Sequence, residues 1–202
     1  MRLLDLFCGG GGAAMGYFRA GFTEIVGVDV EPIKKYPFAF IQGDALNPPV
    51  DLSLFDAIHA SPPCQAFSMM QRIHKNSSDH PDLIEPTRKL LIASGKPYVI
   101  ENVEGAPLRV DLRLCGTVLG LPIIRHRVFE SNIEMPILMP PCNHHRAVYD
   151  PFHMNQDHRR FKAAMEIDWL PSGGGRRKGS LADAIPPAYT EWIGRRLLEA
   201  IR

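Results

Sequence analysis

Cys64 stands in Ala60-Ser61-Pro62-Pro63-Cys64-Gln65-Ala66-Phe67-Ser68, directly after the mostly apolar run Phe55-Asp56-Ala57-Ile58-His59. Two prolines stop a strand abruptly and hold the following turn in few conformations, so the thiol is aimed rather than mobile. In an open α/β sheet the carboxyl edge of a strand is where ligands bind. A cysteine there is either a nucleophile or a buried structural thiol, the commoner fate of a lone cysteine. Glu101 repeats the placement, because it follows the strand-like Pro97-Tyr98-Val99-Ile100 and leads into Asn102-Val103. Leu83 to Ser94 has helical spacing and would cross over between the two strands. If those strands are parallel neighbours, Cys64 and Glu101 face one crevice. A carboxylic acid against apolar walls can donate a proton there; the alternative is a capping or salt-bridged glutamate. In Arg125-His126-Arg127-Val128-Phe129-Glu130, strand alternation puts both arginines on one face and His126 on the other. Paired arginines suit a phosphate or a carbonyl oxygen, or simply keep a surface soluble.

These groups need a scaffold, and the amino-terminal third describes one. Arg2-Leu3-Leu4-Asp5-Leu6-Phe7 reads as a strand, Cys8 and the four glycines Gly9 to Gly12 follow, and Ala13 to Ala20 has helical character ended by Gly21. Strand, glycine turn and helix open a nucleotide-binding α/β unit, in which backbone approaches the ligand and a helix amino terminus faces it. Tight turns also need glycine for no chemical purpose. The next strand, Glu24 to Val28, ends at Asp29, placed to accept hydrogen bonds from both ribose hydroxyls of a nucleoside cofactor. After a third strand, Phe38 to Gln42, Asp44 can accept from an exocyclic amine or serve as a turn cap. The polar stretch from Met69 to Pro81 is longer than a usual connection, as functional lids are, although a plain surface loop has the same composition. Pro187 to Ile201 is an amphipathic helix that should pack back on the sheet.

The 202 residues suffice for one domain with a substantial core. No apolar run approaches the ~20 residues of a membrane span, and Asp5 and the glycines interrupt any signal-peptide pattern. Cys8, Cys64, Cys115 and Cys142 form no CxxC pair, which favours free thiols in a reducing, intracellular setting. The net charge of +1 excludes a strongly basic nucleic-acid binder. Residues 140–180 nevertheless hold seven Lys and Arg against four Asp and Glu, so any polyanion contact belongs there. Within that irregular region Arg176, Arg177 and Lys178 follow three glycines, as in a phosphate-contacting loop or a solvated tether. Cys142, His144 and His145 invite a zinc reading, but the spacing matches no paired-ligand pattern and no metal is assigned.

Asp5-Leu6-Phe7-Cys8-Gly9-Gly10-Gly11-Gly12, Pro62-Pro63-Cys64-Gln65 and Glu101-Asn102-Val103, in that order, closely resemble the signature blocks of the DNA cytosine-5 methyltransferases. Arg125-His126-Arg127 is similar to the family's later paired-arginine block, and Pro187 to Gly194 to its last block. The resemblance implies a Rossmann-like α/β fold, with a mostly parallel sheet, helices on both faces and a small irregular recognition appendage. Residues 1–130 and 181–202 would form the catalytic domain and residues 131–180 a short target-recognition region. The implied donor is S-adenosylmethionine, with S-adenosylhomocysteine as product. It would lie against Asp5, Phe7, Cys8, Gly9, Gly10, Gly11, Asp29, Val30, Asp44, Ala45 and Pro62. Catalysis would fall to Cys64, Glu101, Asn102, Arg125 and Arg127. Pro63, Gln65, Ser68, Arg176, Arg177 and Lys178 would meet DNA. The long recognition region, the Gly-Asn opening of the last block and the supporting arginine block of the family are not found. The expectation is therefore a compact enzyme of relaxed specificity, of the phage or mobile-element kind. It would work in the cytoplasm of a bacterium or infected host, with a partner subunit as one source of specificity. An RNA cytosine-5 methyltransferase and a catalytically silent DNA-binding subunit are the alternatives.

Overall fold

The computed structural model describes residues 1–63, 82–135, 139–146, 158–170, 181 and 183–201. Strands β1 (Arg2–Leu6), β2 (Glu24–Asp29), β3 (Ala39–Gln42), β4 (Ala57–Ala60), β5 (Tyr98–Asn102), β6 (Leu112–Leu114) and β7 (Arg127–Ser131) form one sheet of order β3-β2-β1-β4-β5-β7-β6. The first five in sequence are parallel, and β7 runs antiparallel to both β5 and β6. β4 and β5 are parallel neighbours, Ala60 opposite Ile100, so the strands expected to carry Cys64 and Glu101 end side by side. The helices are α1 (Gly12–Ala20), α2 (Ile84–Ser94), α3 (His158–Met165) and α4 (Pro187–Ile201).

Alternation along β1 explains the layering. Leu3 points to a core shared with Tyr17 and Phe22 beside α1, with Tyr189, Ile193 and Leu197 of α4, and with Phe161 and Met165 of α3. Leu4 and Leu6 point the other way, to Val28, Ile58 and Ile100 beneath Ile84 and Leu91 of α2. A strand apolar on both faces is what a parallel sheet with helices on each side requires. Residues 158–170 were expected to lie in the irregular appendage, yet they bury Phe161, Ala164, Met165, Ile167 and Leu170 in the first of these cores. The charged run His158-Arg159-Arg160 masked that amphipathic helix in the sequence.

Candidate active site

The carboxyl edge of the parallel strands holds a cavity of about 260 Å³. β1 reaches it through Phe7, whose φ of 54° is in the left-handed region that a non-glycine residue rarely adopts. That kink breaks the strand and turns the chain into the glycine loop, where the Gly11 amide donates to the Cys8 carbonyl at 3.0 Å. The Gly9 amide donates to Asp29 Oδ2 at 3.1 Å, tying the loop to the end of β2. Asp29 Oδ1 accepts from the Glu31 amide at 3.1 Å. Asp44 accepts from the Leu46 amide and from Asn47 Nδ2, and the Asn47 bond above all holds its carboxylate below the usual range. Its turn-capping role and its place on the cavity wall are thus both realised.

The opposite wall comes from β4, β5 and β7. Pro62 and Pro63 line it, and the Pro62 carbonyl accepts from Asn102 Nδ2 at 2.9 Å. Asn102 Oδ1 in turn accepts from the Val103 amide. Asn102, expected to orient Glu101 or a base edge, is therefore the clasp between the end of β5 and the proline turn that leads to Cys64. Glu101 Oε1 lies 2.8 Å from Arg127 Nε, and both side chains are largely shielded from solvent. Arg127 also donates to the His126 carbonyl at 2.8 Å, which fixes its guanidinium.

Of the residues expected at the site, Phe7, Cys8, Gly9, Gly10, Asp29, Val30, Asp44, Pro62, Pro63, Glu101 and Arg127 line this cavity. Asp5, Gly11, Ala45, Asn102 and Arg125 do not. Cys64, Gln65, Ser68, Arg176, Arg177 and Lys178 lie outside the described residues, as does the stretch from Met69 to Pro81 expected to form a lid. Asp5 is fully buried behind the loop and accepts from the Tyr36 hydroxyl at 3.1 Å. Burial pushes its carboxyl up to about 8, against the Tyr36 bond and aided by repulsion from Asp29 and Glu101. Arg125 is also buried, which lowers its guanidinium to about 9, and its carbonyl takes the Tyr189 hydroxyl of α4. Burial raises the Cys8 thiol, so Cys8 supplies packing and not a thiolate.

A model of the C-5 cytosine-specific DNA methylases matches residues 1–108, more than half of the sequence. The chain belongs to that family. Among curated relatives, the Type II methyltransferase M1.HphI of Haemophilus parahaemolyticus is 29% identical over 120 residues, covering 51% of this chain and 32% of the relative. M.DdeI of Desulfomicrobium norvegicum is 26% identical over 182 residues, covering 70% of this chain and 44% of the relative. The chain thus spans under half the length of these two relatives. The solved Entamoeba histolytica methyltransferase EhMeth is 12% identical with a TM-score of 0.62, covering 100% of this chain and 99% of that one. That is a likeness of fold.

Several cavity residues of this methylase-family chain were not singled out by sequence: Ser61, Leu83, Val103, and the trio Asp183, Ala184 and Ile185 ahead of α4. The trio arrives because α4 packs on α1. A Cβ on Gly12 would sit 2.2 Å from the Ile185 carbonyl oxygen, and one on Gly16 2.0 Å from Thr190 Oγ1. The glycines inside α1 therefore permit helix contact as much as ligand approach. Trp169 Nε1 donates to the Gly10 carbonyl at 2.9 Å, bracing the loop from residues expected in the appendage. Ser61 Oγ lies 2.9 Å from His59 Nε2, and His59 Nδ1 lies 3.0 Å from the Tyr17 hydroxyl. Burial drives His59 down to about 3, so this chain of hydrogen bonds runs through a neutral imidazole.

Proposed function

We propose that the chain transfers a methyl group from S-adenosylmethionine to C5 of cytosine in DNA, through a transient bond from Cys64 to C6 of a base taken out of the duplex. One observation carries the reading. A single cavity brings the glycine loop, Asp29 and Asp44 together with Pro62, Pro63, Glu101 and Arg127. The described lining fits the donor: Asp29, Asp44, Glu101 and Asp183 are acidic and only Arg127 is basic, which suits a cationic sulfonium. The space a Gly9 Cβ would take is open, so backbone can approach a ligand there.

Bound S-adenosylmethionine supplies an electrophilic methyl group. Phe7 would pack on the cofactor, Asp29 would accept from its ribose and Asp44 from its adenine amine. Cytosine C5 is too poor a nucleophile unaided. The Cys64 thiolate adds to C6, while Glu101, steadied by Arg127, protonates or hydrogen-bonds N3 and absorbs the developing charge. C5, now enamine-like, would accept the methyl group, with S-adenosylhomocysteine leaving. Water in the site then takes the C5 proton, N3 returns its proton to Glu101, and the released electron pair expels Cys64 as thiolate. Asn102 holds the Pro62 carbonyl of the turn that leads to Cys64, and Tyr189 holds the Arg125 carbonyl two residues ahead of Arg127. Extracting the base costs roughly a few kcal/mol, and the 69–81 stretch is the candidate to stabilise the open state. The short 131–180 region implies relaxed specificity or a partner subunit. Among the described residues, no helix is long and apolar enough to cross a membrane.

The test is transfer of isotopically labelled methyl to unmodified DNA and, in parallel, to RNA, by wild type and Cys64→Ser. Label on DNA at cytosine C5, lost in Cys64→Ser, is the expected result. Equal activity of the variant overturns the covalent route, and label on RNA alone overturns the substrate.

A further inference from the structure

Cys115, His126, Cys142 and His144 converge where β6 ends and β7 begins, and none of them lines the cavity. One donor atom from each lies within 4.8 Å of the other three. Cys115 follows β6, His126 precedes β7, and Cys142 and His144 belong to the 139–146 segment. We propose that these four side chains form a structural zinc site that fastens residues 139–146 to the β6–β7 edge.

The donor set is the first reason. Two thiolates and two imidazoles satisfy tetrahedral zinc, and four protein ligands leave no open position, the mark of a structural rather than a catalytic site. The spacing is the second. Zinc–sulfur and zinc–nitrogen bonds of roughly 2.3 and 2.0 Å put neighbouring donors about 3.4–3.8 Å apart in a tetrahedron. Cys115 Sγ lies 3.7 Å from His144 Nε2, and Cys142 Sγ 3.5 Å from His126 Nε2. Both histidines present Nε2, so one ring edge is common to the pair.

The surroundings supply a third reason. His126 Nδ1, on the far side of its ring, lies 3.8 Å from Glu104 Oε2, where a carboxylate commonly orients a metal-bound histidine. The Thr117 hydroxyl donates to Cys115 Sγ at 3.4 Å, which orients that sulfur. Residues 140–145 are all exposed and only Met139 packs against the core, so burial of apolar surface gives the 139–145 stretch little hold. Metal coordination can, because the binding free energy of a structural zinc becomes folding free energy. The spacing Cys115-x10-His126-x15-Cys142-x-His144 contains no paired-ligand motif, so only the fold assembles the set.

Zinc content of the full chain, purified without chelator, tests the proposal. One tightly held zinc per chain is expected. Cobalt replacing it should give the intense visible bands of tetrahedral geometry with thiolate-to-metal charge transfer. Cys142→Ser and His144→Ala, both at exposed positions, should each lose the metal, while His145→Ala keeps it. Glu104→Gln should weaken zinc affinity about 10-fold or more. On chelation, two thiols should become newly reactive, and amide exchange should quicken across 139–146. Four results overturn the site: substoichiometric zinc after incubation with the ion, octahedral cobalt, equal loss in His145→Ala, or a metal-free form with Cys115 and Cys142 joined as a disulfide. None of these readouts depends on methyl transfer.

Discussion

Asp5→Asn should change how the stability of this protein depends on pH, and in one window the change is nearly free of other contributions. Asp5 is fully buried, and its carboxyl rises from 3.8 to about 8. A group whose folded value is raised lends stability that is complete below the unfolded value and is lost as pH climbs through the folded one. Wild type should therefore lose about 1.4 kcal/mol for each pH unit between roughly 4 and 8 on account of Asp5. His59 acts with the opposite sign. Its value falls from 6.5 to about 3, so its contribution is complete above 6.5 and is lost as pH drops toward 3. Between about 4 and 6.5 these two slopes oppose each other, with His126, also lowered by burial, adding to that of His59; between 6.5 and 8 Asp5 dominates.

Urea unfolding without cofactor, at pH steps from 5 to 8.5, reads this directly. From pH 6.5 to 8 wild type should lose about 2 kcal/mol relative to Asp5→Asn, whose amide oxygen can still accept from Tyr36. Below 6.5 the variant should weaken by about 1.4 kcal/mol per unit more than wild type, because His59 is no longer opposed. Other titrating groups enter both proteins alike and cancel in the difference. Parallel curves for the two proteins from pH 5 to 8 would refute the reasoning, since Asp5 would then be ionised in the fold as it is in the unfolded chain.

Arg88→Met leaves Glu130, whose side chain is 1% exposed, without the guanidinium that donates to its two oxygens at 2.7 and 2.8 Å. A loss of about 3–5 kcal/mol in urea is expected, largely recovered when Glu130→Leu is added. Gly12→Ala forces a methyl group onto the Ile185 carbonyl; it should cost about 1–3 kcal/mol and weaken donor binding measured by calorimetry. Asn102→Ala strips the Pro62 carbonyl of its buried donor. It should cost about 1–3 kcal/mol and lower kcat far more than it raises KM, because the turn to Cys64 loses its clasp.

What the sequence conveyed was whatever is local. β1, the glycine turn and α1 follow one another within about twenty residues, and each boundary carries its own signal: an apolar run, then glycines, then Gly21 with a φ of 120°. The pairing of β4 with β5 followed from one crossover helix of ordinary length. What stayed hidden depends on long-range contact. Trp169 meets Gly10, and the four donors near β6 come from three separate segments. Asp5 was read as a cofactor residue from its block, but it is buried within the sheet and bonded by Tyr36, thirty-one residues away. Arg125 looked equivalent to Arg127 by alternation, yet β7 begins only at Arg127 and Arg125 is drawn into the core beside Tyr189.

The family match ends at residue 108, inside the chain that builds only part of the cavity. Arg127, Asp183, Ala184 and Ile185 line the remainder, and all lie beyond it. Two packing choices bring them back. β7 returns antiparallel beside β5, which sets Phe129 opposite Glu101 and delivers Arg127 to that carboxylate. α4 lies on the glycine face of α1, which delivers the 183–185 segment to the start of that helix. Neither choice follows from the motifs, since a glutamate at a strand end would satisfy the same pattern with any cation or none. Arg127→Lys therefore separates the fold from the family resemblance. It keeps the charge but loses the fixed guanidinium geometry, which an ammonium on a flexible stem does not reproduce. If Arg127 positions Glu101 as the structure has it, kcat should fall with little change in donor affinity; an unchanged kcat would mean that Glu101 needs no such partner.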